Sequence, residues 1–204
     1  MTDLKKIKTE SIQTIIIDSD DFTDIEKNIE RIHQILNEDG SLFIIAGNKF
    51  KNGVLKPLTL EIADMVKSQN FFLRNSIIWF LPDNKNTPNT LFVNRYKMIF
   101  HFTKNDDSYF FNKDPIRENH IWEKVEWGQR KKNYNPRGKD PGDVWLMTED
   151  DGKANITKHL PLSKEDVIRR FILLTSQKKD NVILLLDDKN CKKICEENER
   201  KIII

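Results

Sequence analysis

The chain has 204 residues, enough for one sizeable core. Charged residues make up 32% of it, yet the formal net charge is only +2. Global charge therefore does not announce a polyanion-binding protein, and any such signal must be local. No apolar run reaches the length of a membrane-spanning helix, and the first ten residues, MTDLKKIKTE, lack an apolar signal core. A cytoplasmic protein without membrane contact is expected. Cys191 and Cys195, the only cysteines, are expected to be reduced, because two thiols without histidine partners make a poor metal site. No metal is expected.

The first informative stretch is Ser11 to Phe22, SIQTIIIDSDDF. Ile15, Ile16 and Ile17 form a β-branched run that stops on Asp18. Open α/β sheets present chemistry where a buried strand ends on a carboxylate. Asp18 and Ser19 are equally well placed to turn the chain or to cap the next helix. From Asp24 to Asn37, Ile25, Ile29, Ile32 and Leu36 recur at helical spacing, and Asp39-Gly40 ends the pattern. Ser41 to Ala46 reads as a second buried strand. The strand, helix, strand order predicts a parallel βαβ unit.

Pro57 to Ser68 reads as a second helix with proline in its first turn. Phe71 to Leu81 is a long strand, Pro82 to Phe92 a polar loop, and Tyr96 to Thr103 a further strand, expected to run antiparallel to a neighbour. From Lys104 to Lys158 periodicity disappears. That stretch holds three of the four tryptophans, and a long irregular segment inside a compact domain usually binds something. Within it Lys124, Arg130, Lys131, Lys132, Arg137 and Lys139 face Glu126 alone, with Trp122, Trp127 and Tyr134 interleaved. Basic groups neutralise phosphates and aromatic rings stack on bases. A solvated basic loop with its rings tucked onto the core is the plainer alternative.

Regular structure resumes at Ser163, a fair N-cap before Glu165 and Asp166. Val167, Ile168, Phe171, Ile172 and Leu174 form an apolar helical face. Asn181 to Leu186 is a third buried strand, Asp188 to Asn198 a helix, and Lys201 to Ile204 a last short strand. Trp79 is expected in the core, and Trp145 as a buried anchor for the Pro141-Gly142-Asp143 turn.

In this order the pieces resemble the DNA amino-methyltransferases, which methylate the exocyclic nitrogen of adenine or cytosine using S-adenosylmethionine. SIQTIIID leading into Ser19-Asp20-Asp21 is similar to the strand that runs into the family's Asp-Pro-Pro-Tyr tetrad. LNEDGSLFIIAG, FFLRNSIIWFLP and NRYKMIFHFTK resemble the strands that follow. NYNPRGKDPGDVW, Asn133 to Trp145, is the most specific match. KHLPLSKEDVIRRFILLTS is similar to the segment before the cofactor strand. The resemblance implies a circularly permuted order, with the catalytic half first, target reading in the middle and the cofactor half last. It further implies an α/β fold: a Rossmann-like, mainly parallel sheet flanked by helices, with one antiparallel strand. The last strands should lie beside the first. Residues 1–204 would form one methyltransferase-like domain, and 104–158 a target-recognition insertion within it.

Two departures fall where the chemistry lies. In the family the tetrad's acid accepts a hydrogen bond from the target amino group and its ring stacks on the flipped base. Here Asp18 is the remnant of that acid, Ser19, Asp20 and Asp21 replace Pro, Pro and Tyr, and Phe22 is the nearest substitute ring. The family's cofactor strand runs into a glycine loop whose bare backbone lets the methyl donor lie close. Here LLLDDKNCKKICEEN follows, and no glycine occurs after Gly152. Asp187 and Asp188 are candidate remnants of the family's acid, and Lys189, Asn190 and Cys191 stand where the glycines belong. KIII lacks the acid that would hold the ribose hydroxyls. His159, parted from Pro161 by Leu160, reads as a packing residue.

The reading is a degenerate member: a DNA-binding, catalytically inactive pseudoenzyme in a restriction-modification setting, without cofactor. Its partners would be DNA, through Lys124, Trp127, Arg130, Lys131, Lys132, Tyr134, Arg137 and Lys139, and an active methyltransferase subunit or a second copy. One alternative is an active enzyme with a divergent site, holding S-adenosylmethionine through Asp187, Asp188 or the Gly47-Asn48 loop. Another is a protein-interaction module that does not touch nucleic acid.

Overall fold

The structure is a computed structural model that describes residues 4–19, 21–82, 90–120, 134–150, 157–186 and 188–203, the side chains of 147–150 and 157–159 excepted. After a 3-10 turn at Leu4–Lys6 come β1 (Ile12–Asp18), α1 (Phe22–Ile35) and β2 (Leu36–Ala46). A small hairpin, β3 (Lys49–Lys51) and β4 (Val54–Lys56), precedes α2 (Leu58–Ser68). Then follow β5 (Phe72–Phe80), β6 (Tyr96–Thr103), β7 (Val144–Trp145), β8 (Met147–Asp150) and β9 (Thr157–Leu160). The last elements are α3 (Lys164–Thr175), β10 (Asn181–Leu185), α4 (Lys189–Glu197) and β11 (Lys201–Ile202).

The main sheet runs β11-β10-β1-β2-β6-β5-β7. β6 is antiparallel to both its neighbours, and the remaining pairings are parallel. This is the expected mainly parallel sheet with one reversed strand. β10 lies directly beside β1, and β11 pairs with β10 on its outer side.

Pleat alternation divides the core into two halves. Ile15 and Ile17 face α1 and α2 with Leu42, Ile44 and Phe102, while Ile16 faces α3 and α4 with Phe43, Ile45 and Leu184. Both faces of the sheet are covered, as a parallel sheet requires. Trp145 and Trp79 are both buried, as expected. The Trp145 indole donates to the Gly142 carbonyl at 3.0 Å, and that of Trp79 donates to the Leu162 carbonyl at 3.0 Å.

The structure differs from the sequence pattern at three places, the first being the β3–β4 hairpin, where no strands are expected. Helical spacing carries α1 through Leu36, but Leu36 already pairs with Ile12, and the ladder resumes only at Thr14 and Ser41. The chain between bulges outward, where the Asn37 side-chain amide donates to Gln13 Oε1 at 2.8 Å. In the expected irregular stretch, β7 joins the sheet edge beside β5, and β8 and β9 form a separate hairpin. Each strand is too short to show a hydrophobic period.

At the centre of one face Phe43 is fully buried and stacked between His101, 4.6 Å away, and Phe171, 4.1 Å away. Burial and Arg74 lower the His101 pKa to about 3, so the ring is neutral and joins the column as an apolar partner. Phe43→Ala should lower the unfolding free energy by about 3–5 kcal/mol, read from urea denaturation. A loss below about 1 kcal/mol would mean that this column does not organise the core.

Candidate functional site at the carboxyl edge of the sheet

Asp18 closes β1, and the chain leaves the sheet after Ser19, whose amide still donates to the Ile45 carbonyl at 3.3 Å. Ser19 Oγ accepts from the Asp21 amide at 3.0 Å, and Asp21 Oδ1 accepts from the Thr23 amide at 2.9 Å, which caps α1. Ser19 and Asp21 are thus used locally, in turn and cap. Phe22 is the first residue of α1 and is partly buried against the α1-side core.

Two distant lysines converge on Asp18. The Lys97 ammonium, from β6, lies 3.0 Å from Oδ1, and the Lys164 ammonium, from the start of α3, lies 2.6 Å from Oδ2. The Asp18 side chain is only 13% exposed. Burial works to raise its pKa, but the hydrogen bond from Lys164 and the field of Lys97 outweigh it, so the carboxyl sits below its ordinary value. Reciprocally, burial works to lower the Lys164 pKa, and Asp18 overrides it and raises the value. Both carboxylate oxygens carry a charge-assisted bond. Neither lysine stood out in the sequence, because both are far from Asp18 along the chain.

The cofactor end has a similar self-contained geometry. β10 passes through Leu186 to Asp188, which caps α4 by accepting from the Asn190 amide at 2.8 Å and the Cys191 amide at 3.4 Å. Two of the amides that a helix N-terminus offers an anion are therefore taken by the chain's own carboxylate. Lys189, Asn190 and Cys191 form the first turn of α4. The Cys191 thiol is fully buried, and burial, helped by Asp188, pushes its pKa up to about 12, so it is an inert thiol. Cys195 is likewise buried, and the two are not joined in a disulfide.

Room itself is not lacking. A cleft of about 660 Å³ opens between α1 and the ends of β1, β10 and β11. Asp18, Ser19, Asp24, Asn28 and Lys192 supply its polar lining, and Ile25, Leu184, Leu185, Ile202 and Ile203 are among its apolar walls. Lys189, Asn190 and Cys191 do not line it. S-adenosylmethionine needs an anion-holding turn, a ribose acceptor and a bare backbone. The residues present do not match: Asp188 occupies the turn, Ile203 follows β11, and among the described residues no glycine borders the cleft. Asn48 in the loop after β2 is held by Thr59, whose hydroxyl donates to Asn48 Oδ1 at 2.8 Å.

The middle segment keeps a built frame. The Glu118 and Lys139 backbones form an antiparallel bridge. Gly138, at φ +110, sits against it, and a Cβ there would lie 2.6 Å from the Glu118 carbonyl oxygen. Glu118 also pairs with Arg170 of α3 at 2.7 Å, and the Arg170 guanidinium lies 5.1 Å above the Trp145 ring. Of the expected DNA-contacting residues, Tyr134 is exposed and meets His120 edge-on at 4.7 Å. The Arg137 guanidinium is paired with Asp114, and Lys139 is exposed. Lys124, Trp127, Arg130, Lys131, Lys132 and Asp187 lie outside the described residues. Among the described residues no group of three His, Cys, Asp or Glu side chains is placed to hold a metal, and no helix is long and apolar enough to cross a membrane.

Because the lysines favour the ionised form, the Asp18 bridge contributes stability that is complete above the ordinary carboxylate pKa and is lost as pH falls through the lower folded value. Asp18→Asn should lower stability at pH 7 by about 1–3 kcal/mol, because both ammoniums lose a charge-assisted partner. In denaturation series, the gap from the unsubstituted protein should narrow as pH is lowered from about 4. A gap that stays constant down to about pH 2 would contradict the bridge.

Solved structures similar to this one share its fold. The PvuII DNA methyltransferase (cytosine-N4-specific) aligns with a TM-score of 0.72 at 14% identity, over 98% of this chain and 76% of its own. TTHA0409 of Thermus thermophilus, complexed with S-adenosyl-L-methionine, aligns at 0.65 and 15% identity, over 98% and 82%. The M1.HpyAVI-SAM complex aligns at 0.59 and 15% identity, also over 98% and 82%. No curated protein sequence matches the chain. The DNA methylase family model matches residues 12–183, from the first strand of the sheet to the strand that pairs with it, and the chain belongs to that family.

Proposed function

We propose that this family member binds DNA without transferring a methyl group, as the non-catalytic partner of an active DNA-modifying enzyme. The observation that carries this reading is the double engagement of Asp18 by Lys97 and Lys164. An acid in this position serves the reaction by accepting a hydrogen bond from the amino group to be methylated. With an ammonium already on each oxygen, the carboxylate is a weaker acceptor for that amino group, which would have to compete with Lys97 and Lys164 for it. The donor side supports the same reading, since Asp188 caps the helix where a donor's carboxylate would be held. The DNA-binding half of the proposal is supported by the intact frame around Gly138 and Trp145, in the segment most similar to the family's target-reading stretch.

The cleft beside Asp18 favours a second reading, an active enzyme that holds S-adenosylmethionine without a glycine loop. The two readings separate in one assay. Incubation with unmethylated duplex and methyl-labelled S-adenosylmethionine should leave no label on the DNA, while the same duplex is bound in a mobility shift that weakens steeply with salt. Label on the duplex, abolished by Asp18→Ala, would establish the active reading instead.

A further inference from the structure

The β3–β4 hairpin springs from the same sheet edge as Asp18. β2 ends at Ala46, next to Ile45, which pairs with Asp18, and β3 begins at Lys49. The hairpin sequence is KFKNGVLK, and no acidic residue stands between Gly47 and Leu60. Asn52 and Gly53, at φ 53 and 75, make the two-residue turn. Lys49 pairs with Lys56, Phe50 with Leu55, and Lys51 with Val54. Directly opposed residues share a face and neighbours along a strand alternate, so Lys49, Lys51 and Lys56 all project from one side.

This arrangement works against the fold of the hairpin itself. Like charges directly opposite each other destabilise a strand pair, and Lys49 and Lys56 are such a pair. All three lysines are exposed, and none is ion-paired among the described residues. The base of the hairpin is nonetheless well anchored. Asn48 Oδ1 accepts from the Thr59 amide at 3.3 Å as well as from the Thr59 hydroxyl, and Thr59 is buried. A rigid platform that bears three unmatched, mutually repelling ammoniums on one face is complementary to a row of phosphates.

We propose that the lysine face of this hairpin is a contact for the phosphate backbone of duplex DNA, separate from the 104–158 segment. It rests on the DNA-binding reading and adds to it a second surface, one that positions the duplex without reading bases. The test is fluorescence anisotropy of a labelled duplex with the full chain across a salt series, comparing the unsubstituted protein with K49A/K51A/K56A. Removing three phosphate-neutralising ammoniums should make the slope of log K against log salt shallower by about two to three. Without DNA the triple variant should unfold at the same temperature or a higher one, because a repulsion has been removed. If the unsubstituted protein binds the duplex and the triple variant keeps its slope, the hairpin contact is refuted and the DNA reading stands. If the unsubstituted protein binds no duplex, the DNA reading falls and the hairpin contact with it. If phosphatidylserine vesicles are bound through these lysines while duplex binding is unchanged, the surface serves a membrane and the proposal is overturned.

Discussion

Asp18 lies between two ammoniums, and the carboxyl edge of the sheet is organised by that fact. Lys97 reaches it from β6, across β2, and Lys164 reaches it from the first turn of α3. One side chain therefore joins the first strand of the chain to an element near its middle and another near its end. Burial opposes the charge on Asp18, and Lys164 and Lys97 outweigh it. Removing any of the three takes a charge-assisted partner from a partly buried charge, and such a loss is felt more than the pair was worth. In the proposed reading this side chain serves as a brace rather than as a reagent.

The donor side follows the same logic by a different route. A helix N-terminus beside a strand end is a ready anion site only while its amides are unoccupied. Asp188 occupies two of them. None of this disturbs the sheet, because the two apolar faces are set by Ile15, Ile16, Ile17 and their partners, which take no part in any chemistry. The fold is thus independent of the use to which Asp18 and Asp188 are put.

Much of the architecture was legible in the sequence. Runs such as TIIID, SLFIIA and NVILLL are apolar on both faces, which only a sheet covered on both sides accommodates. The cap residue Ser163 was readable because capping is local chemistry, whereas Asp188, expected as a helical residue and a remnant acid, is a cap in the structure. Leu36 was misplaced because its apolar side chain fits the helix period and the strand equally well. The partners of Asp18 were not legible, since Lys97 and Lys164 meet it only through the folded sheet. The hairpin had a legible signal, Asn52-Gly53 between short alternating runs; the opposition of its lysines needed the register.

Calorimetric titration of the full chain with S-adenosylmethionine, in the presence of duplex DNA, tests the central claim most directly. An edge whose acid is braced and whose helix end is capped should give no saturable heat. Stoichiometric binding at micromolar concentration would contradict it, and would mean that donor and DNA together displace the bonds now made by Lys97, Lys164 and Asp188.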